Sequence, residues 1–581
     1  MTCLESAHRN GHWVILNNVH LMPKWLMELE KKLDEYAAEG SHDKFRVFLT
    51  SDPSRTIPIG ILSRCIKITN EPPSGLKANL KRAWCFFTKD DVEQMDSKTK
   101  SILFGLCYFH SIMMERKTFG PMGFNMKYPF SIGDLRDSAK CLQNYMDNSS
   151  GGKIPWEDLR YIFGEIMYGG HIVNDYDRLV AQEYLNFYMK EELLDETEMY
   201  PFSQDDSGAR GGSGGRSGGS SRSVKGRSRG NVGVSGAGRS GSSEAPTFLS
   251  PIPTSFDKYI HHIDTAMTED TPIAFGLHPN AEIGFRTQQS ISLFRTLMDL
   301  QPKPSGSGDG SSSAASPQKI AEAVANDILD RLGDKHFDTE ELMRSFDEQG
   351  PYQNVLIQEM EIMNSLLSEI RRSIKELQLG FAGELTMSES MEELTTCLYL
   401  DKVPTTWLFW PTVRPLASWI TNVSDRLAQI EEWGDSQGEL PKVTWLSGLA
   451  SPNSFLEAIR QVQAQRQGVP LNELSLQFEV AKSTDEAPRE GAFIKGLFLE
   501  GARLDDKNML ASSKPKEMYV HLPTLLVKAV AGRTRGGVYQ APLYLNRDRG
   551  AGYVCEIQLS TKDPPARWVL GGVSALLDVS A

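Results

Sequence analysis

The chain has 581 residues, of which 40% are apolar, 24% charged and 9% aromatic. That is apolar material for several cores, roughly four domain-sized units, and it excludes a wholly disordered chain. Sixty-two basic against 75 acidic residues give a formal charge of −13, which excludes a protein whose whole surface coats nucleic acid or an anionic membrane.

In chain order, the apolar runs Trp13 to Val19 and Phe45 to Leu49 read as buried strands. Between them Trp25, Leu26, Leu29, Leu33 and Tyr36 recur at helical spacing, so strand, helix, strand predicts a parallel α/β layer. A third strand is expected at Cys65 to Thr69, ending at Pro72-Pro73. From Leu76 to about Leu194 the period is helical: Ile102, Leu106, Phe109 and Met113 share one face, and Leu159, Ile162, Phe163 and Ile166 another. Between Ser203 and Pro246 the composition turns to Gly, Ser and Arg, with basic Arg210, Arg216, Arg222, Lys225, Arg227, Arg229 and Arg239 against Asp205, Asp206 and Glu244. This stretch is expected to be a flexible linker. Pro304 to Ser316 interrupts again, and helices are expected near Gln318–Leu332, Val355–Leu379 and Pro415–Trp433. In the second of these, Ile362, Leu366, Ile370, Ile374 and Leu377 make an apolar stripe opposite a charged face of Glu359, Glu361, Glu369, Arg371, Arg372, Lys375 and Glu376. Six β-rich runs follow: Leu474–Val480, Ala492–Leu499, Tyr519–Val527, Val538–Leu545, Tyr553–Leu559 and Trp568–Leu576. Their succession predicts an antiparallel barrel or sandwich.

Chemistry motifs are sparse. Cys3, Cys65, Cys85, Cys107, Cys141, Cys397 and Cys555 form no C-x-x-C pair and have no His at ligand spacing, so neither a disulfide framework nor a zinc site is encoded. A reducing compartment is expected. No run of about 18 apolar residues occurs, and Met1 to Arg9 lacks a signal-peptide core, which predicts a soluble protein on the cytosolic side. There is no G-x-x-x-x-G-K-[ST] loop to cradle nucleotide phosphates. Trp13-Val14-Ile15-Leu16 is similar to the metal-side strand of a P-loop NTPase, but Asn17 and Asn18 stand where such enzymes carry acidic residues. An amide neither neutralises Mg²⁺ nor accepts a proton as a carboxylate does, so the simpler reading is two polar residues closing a strand. Arg64, in Ser63-Arg64-Cys65, is a candidate arginine finger for a neighbour's nucleotide, with a solvated Arg at a strand start as the simpler alternative.

Gly211-Gly212-Ser213-Gly214-Gly215 matches a nucleophile elbow but lacks its strand and helix. Asn148-Ser149-Ser150 and Asn422-Val423-Ser424 match the glycosylation tripeptide and read as loop and helix-surface residues; His261-His262 reads as a surface pair. The Gly/Ser/Arg stretch has the charge to bind RNA or an acidic tubulin tail, but no aromatic residue on which a base would stack, so a spacer is the better reading.

Longer strings carry a family. Gly11-His12-Trp13-Val14-Ile15-Leu16-Asn17-Asn18-Val19-His20-Leu21 resembles the G-x-W-V-L-L-Q-N-x-H-L segment of the sixth AAA module of dynein heavy chains. The resemblance continues through Phe45–Ser51, Ile68–Pro73, Phe163–Ile172 and Phe275–Ile283, and reaches Gly491–Arg503. Pro488-Arg489-Glu490-Gly491-Ala492 and Tyr108-Phe109-His110 are similar to axonemal outer-arm beta-type chains. The sequence departs from the family where E-G-A-R-W-D reads Glu500-Gly501-Ala502-Arg503-Leu504-Asp505, and in the length of the Gly/Ser/Arg stretch.

The resemblance implies a partial AAA+ α/β core without its P-loop (1–73), a helical AAA lid (74–202), the linker (203–247), and a C-terminal domain with a helical part (248–440) and a β-barrel part (441–581). It implies a structural and regulatory portion of a microtubule motor, beginning inside a module as a truncated gene model or fragment would. ATP and Mg²⁺ would belong to the full-length motor and no cofactor to this chain. The implied partners are the other AAA modules of the ring, dynein intermediate, light intermediate and light chains, and microtubules through the parent stalk, with no membrane or nucleic acid. The implied place is the cytoskeleton of a cilium or flagellum. Two alternatives from other classes are a free-standing adaptor using the basic linker and a degenerate AAA+ ATPase subunit.

Overall fold

The first strand–helix–strand run folds as its period dictates. In a computed structural model, which describes residues 2–52, 54, 56–69, 73–148, 154–202, 247–267, 271–299, 317–346, 349–436, 439–532 and 537–580, the protein divides into two units, Met1–Pro73 and Ser74–Ala581. In the first, α1 (Thr2–Asn10) leads into β1 (Trp13–Leu16), α2 (Pro23–Glu39), β2 (Arg46–Leu49) and α3 (Ile59–Arg64). Proline at the first position of α2 starts the helix, since its missing N–H has no partner there anyway, and Gly40 at φ 83° ends it. The strands pair in parallel, Trp13 opposite Arg46 and Leu16 opposite Leu49.

They are not buried strands, however. Leu26, Leu29, Leu4, Val19 and Ile61 cover the side bearing Val14, Leu16, Val47 and Leu49, whereas Trp13 is 69% exposed and Ile15 63%. Parallel strands are buried only where both faces are covered, and among the described residues one face is. The expected third strand is absent: Cys65–Thr69 follows α3 as unpaired chain, with Ile66 and Ile68 fully out in solvent.

The second unit opens with α4 (Leu76–Cys85), α5 (Lys89–Gln94), α6 (Ser97–Arg116), α7 (Ile132–Asn148), α8 (Trp156–Tyr161) and α9 (Asp175–Tyr188). Asp96 caps α6 by accepting from the Thr99 N–H. Ile102, Leu106, Phe109 and Met113 are buried as expected, but so are Leu103, Phe104, Tyr108 and Ile112, because this helix is apolar all round and runs through the core. The second expected face holds for Leu159, Ile162 and Phe163 and fails at Ile166, which is exposed. A π-helical turn over Ile162–Met167 adds a residue to the turn and rotates Ile166 outward while Tyr168 goes in.

Past the Gly/Ser/Arg stretch, which lies outside the described residues together with the Gly211–Gly215 match, the fold resumes as α10 (Phe256–Ala266), α11 (Asn280–Asp299), α12 (Pro317–Leu332), α13 (Thr339–Ser345), α14 (Pro351–Phe381), α15 (Glu389–Tyr399) and α16 (Leu416–Asp435). The α14 stripe is core at Leu366, Ile370, Ile374 and Leu377 and half-buried at Ile362. Glu359 departs from its expected charged face. It is fully buried, accepting from the Ala450 and Ser451 N–H groups (2.7 and 2.8 Å) at the start of α17 (Pro452–Gln467). Burial raises its carboxyl, and those two bonds and Arg426 pull it back.

Asn422 is likewise a buried residue and not a helix-surface one, accepting from Arg426 Nε at 2.8 Å. Arg426 itself lies 4.4 Å from the Trp410 ring centre, pushed down to about 10 by burial. Arg371, expected to be a plain surface charge, donates to the Gly333 and Lys335 carbonyls (2.7 Å each) and so caps the end of α12.

The β-rich end does not close into a barrel. It forms a four-stranded sheet in the order β3 (Thr444–Trp445), β5 (Ala492–Lys495), β10 (Leu525–Ala531), β4 (Leu474–Val480). A five-stranded sheet follows the order β12 (Tyr553–Ser560), β11 (Val538–Asn546), β13 (Ser574–Asp578), β6 (Phe498–Glu500), β9 (Tyr519–His521), and β7 (Ala502–Leu504) pairs with β8 (Leu510–Ser512). Two runs that read as single strands are broken so that their halves enter different sheets: Gly496 at φ 87° separates β5 from β6, and Pro523, which has no N–H to give, lies between β9 and β10. Pairing is also mixed, β13 running parallel to β11 and antiparallel to β6. The run Trp568–Leu576 splits into a helix, α18 (Pro565–Leu570), and β13.

Candidate functional site

The residues singled out from the sequence do not assemble a nucleotide site. Asn17 and Asn18 close β1: the Asn18 N–H donates to Thr50 Oγ1 (3.0 Å), whose hydroxyl donates to Asn17 Oδ1 (3.4 Å), and Asn18 takes the left-handed φ of 54° that asparagine tolerates. Asp52 N–H donates to His20 Nδ1 at 3.1 Å, so the segments leaving both strands are tied to each other. Arg64 ends α3 instead of preceding a strand, and it pairs with Asp34 of its own unit. Its charge is therefore engaged locally. Among the described residues no group of three or more His, Cys, Asp or Glu side chains is placed to hold a metal ion. An Asn17 amide oxygen that accepts from Thr50, an Asn18 that offers no carboxylate and an Arg64 engaged by Asp34 do not fit an ATP–Mg²⁺ complex.

The strongest constellation carries no sequence motif. Arg116, at the end of α6, is completely buried and, among the described residues, has no carboxylate partner. Its Nε donates to the Gly123 carbonyl (2.7 Å), Nη1 to the Tyr184 hydroxyl and the Phe275 carbonyl (2.9 Å), and Nη2 to the Leu570 carbonyl (2.8 Å). One fixed guanidinium fork thus joins α6, α9, the segment before α11 and α18, and the Tyr184 and Phe124 rings flank it. Tyr184 also donates to the Phe275 carbonyl at 2.6 Å.

Around this clamp the helices α4 to α9 and the later part of the same unit meet repeatedly. Asp177 accepts from the Asn125 and Met126 N–H groups and from the Tyr128 hydroxyl (2.9, 3.2 and 2.6 Å), and burial raises its carboxyl against those bonds. The loop so fixed sends Asn125 Nδ2 to the Tyr544 hydroxyl on β11 (2.8 Å). Tyr176 hydrogen-bonds Tyr539, which donates to the Val573 carbonyl at 2.7 Å. Gly572, at φ 65°, lies so close that a Cβ there would sit 2.2 Å from the Met122 carbonyl oxygen. On the β side, buried Arg549 pairs with Glu500 and donates to the Gly572 carbonyl (2.8 Å). Further along, Trp84 of α4 stacks on Tyr259 of α10 with ring centres 4.4 Å apart, and Lys81 pairs with Asp264. Met199 N–H to the Phe248 carbonyl (2.7 Å) and Ser250 N–H to the Thr197 carbonyl (2.8 Å) bind together the two segments flanking the Gly/Ser/Arg stretch. His110, inside α6, shares a hydrogen bond with the Tyr168 hydroxyl (2.9 Å), and burial lowers its imidazole to about 4.

Three family models of the dynein heavy chain match in order along this architecture: its region D6 P-loop domain over residues 1–69, its AAA lid domain over 99–210, and its C-terminal domain over 287–577. The protein belongs to the dynein heavy-chain family. It is 40% identical over 99% of its length to the ciliary dynein beta chain of Tripneustes gratilla and 41% identical over its full length to the beta chain of the Chlamydomonas reinhardtii flagellar outer arm. Against the alpha chain of that same Chlamydomonas arm the identity is 34%, so this dynein sequence is more similar to the beta type. It spans about 12% of the length of the beta chains it matches. Arg116, Asn125 and Tyr176 fall in the matched lid, and Leu570, Tyr544 and Tyr539 in the matched C-terminal domain, so these bonds join the two. A local signal for part of this seam existed: Arg116 follows the mostly apolar run from Ile102 to Met114 at the end of its helix. Its partners at Phe275 and Leu570 are 159 and 454 residues away, and no spacing rule reaches them.

Proposed function

We propose that this protein is the C-terminal, structural and regulatory portion of an axonemal dynein heavy chain, whose parent motor hydrolyses ATP to move along microtubules in a cilium or flagellum. On this reading 1–73 is part of the sixth AAA module, 74–202 its lid, 203–247 a linker, and 248–440 and 441–581 the helical and β parts of the C-terminal domain. The division of the fold after Pro73 supports the first boundary. The portion acts through contacts and not through its own chemistry; ATP and Mg²⁺ are bound by other modules, and ring neighbours and associated chains are its partners.

The observation that carries this is the Arg116 clamp. A lid fixed by a buried guanidinium to the Phe275 and Leu570 carbonyls moves with the C-terminal domain as one body, so displacement of the lid in the ring is passed on. The test is Arg116→Met in a full-length heavy chain. Microtubule gliding should slow while nucleotide affinity at the first AAA module stays unchanged. Gliding at the parent velocity in a variant shown to have a loosened lid would contradict the reading.

A further inference from the structure

Where the start of α9 faces β11 and β12, the seam opens into a groove of about 600 Å³. Its apolar surface is partly bare: Val173 is 77% exposed, Leu179 38% and Tyr553 49%. Two carboxylates line it, Asp175 from α9 and Glu556 from β12, and among the described residues neither has a hydrogen-bond or ion-pair partner. The cation nearest in sequence, Arg178, is already held by Glu165 Oε2 (3.1 Å) and the Ile172 carbonyl (2.9 Å). Burial, then Glu556, Cys555 and Asp175, push the Tyr553 hydroxyl up to about 12, so the ring lies in the field of both carboxylates. The free charge of the groove is negative and its exposed walls are apolar.

We propose that this groove docks a basic, partly apolar stretch of a partner polypeptide, its Lys or Arg heads reaching Asp175 and Glu556 and its alkyl stems lying against Tyr553 and Val173. Long basic side chains suit such a surface because their stems are apolar and their ends charged. An acidic peptide or a nucleic acid would meet two carboxylates with no free cation, and a purely apolar ligand would strip water from both without pairing them. The inference concerns this groove alone and does not depend on the motor reading.

The test uses the whole protein and a fluorescein-labelled peptide of about ten residues alternating Lys and Leu, with a Glu-for-Lys peptide as control. Anisotropy should show binding of the Lys peptide that weakens with added salt, and no binding of the Glu peptide. Asp175→Asn with Glu556→Gln, both exposed positions, should weaken it at least about tenfold with the circular dichroism spectrum unchanged. Asp334→Asn with Asp435→Asn, in a separate acidic groove beside α13, should leave it unchanged. Absence of binding, equal binding of the Glu peptide, or equal losses from the two double variants would overturn the proposal; the last would mean general attraction to an acidic protein.

Discussion

Residues 1–73 and the lid–C-terminal seam bury apolar surface under opposite conditions. In the first unit the core is local: α1, α2 and α3 supply Leu4, Leu26, Leu29 and Ile61 to one side of a two-stranded sheet, and Trp13 and Phe48 meet on the exposed other side, their ring centres 5.4 Å apart. Polar groups there serve to tie strand ends. In the seam, polar groups stand inside the core and bond residues distant in sequence: Arg116 to Leu570, Asn125 to Tyr544, Tyr176 to Tyr539. A buried donor that finds its acceptor only across a seam makes separating the two sides costly, because opening leaves desolvated carbonyls and a charge. What makes the lid and the C-terminal domain one body is the directional network laid through the apolar contact.

The largest break in that contrast should come from Arg116→Met. It fills similar space but leaves the Leu570 and Gly123 carbonyls without their donor, and the Phe275 carbonyl with the Tyr184 hydroxyl alone, at a cost on the order of 3–5 kcal/mol in urea denaturation. Arg116→Lys should recover little, since a single ammonium cannot span carbonyls held by a fork.

The difference between the regions is also a difference in legibility. The strand–helix–strand order of 1–73 was readable because Trp25, Leu26, Leu29 and Leu33 repeat at the helical period, and α12, α14 and α16 lie within a few residues of where periodicity put them. Glu359 was misplaced on a charged face although the period itself put it inward, three residues after buried Leu356 and four before buried Met363; residue type overrode phase. Ile166 was missed because a π turn changes the phase, and nothing in Phe163-Gly164-Glu165 announces one. The β runs were found, but which sheet each half joins depends on breaks at Gly496 and Pro523 and on long-range pairing. Of the site, Asn17, Asn18 and Arg64 were legible as candidates and turned out to be locally engaged, while the Arg116 network was beyond reach because its acceptors are backbone atoms, which no sequence motif marks.

A second effect, of intermediate size, should appear in acid. His110 is buried with its imidazole lowered from 6.5 to about 4. Between those values the unfolded chain binds a proton that the folded one does not, so stability is full above the unfolded value and falls as pH drops toward the folded one. The slope is at most about 1.4 kcal/mol per pH unit. Urea titrations from pH 7 to 4 should show this loss in the parent and a shallower loss in His110→Gln, which keeps a group able to bond Tyr168. Parallel profiles would place the acid sensitivity elsewhere.

The smallest effects sharpen the claim that direction matters more than charge. Arg371 and Arg372 are neighbours on α14, yet Arg371 bonds two carbonyls of the α12 end, whereas Arg372 pairs with Glu369 and Glu376 on its own exposed face. Arg371→Ala should cost about 1 kcal/mol and Arg372→Ala about 0.5 kcal/mol or less. Thermal melts reversing that order would undercut the distinction.

The central claim, that lid and C-terminal domain are one cooperative body, is tested most directly by hydrogen exchange on Leu366→Ala. Leu366 is fully buried in α14, outside the lid, and its truncation should cost about 3 kcal/mol, or roughly a hundredfold in protection where opening is global. The account predicts that the slowest amides of α6 in the lid and of β13 at the far end of the sequence lose protection by the same factor. Loss confined to the C-terminal domain, with α6 protected as in the parent, would show that the seam does not join them and would contradict it.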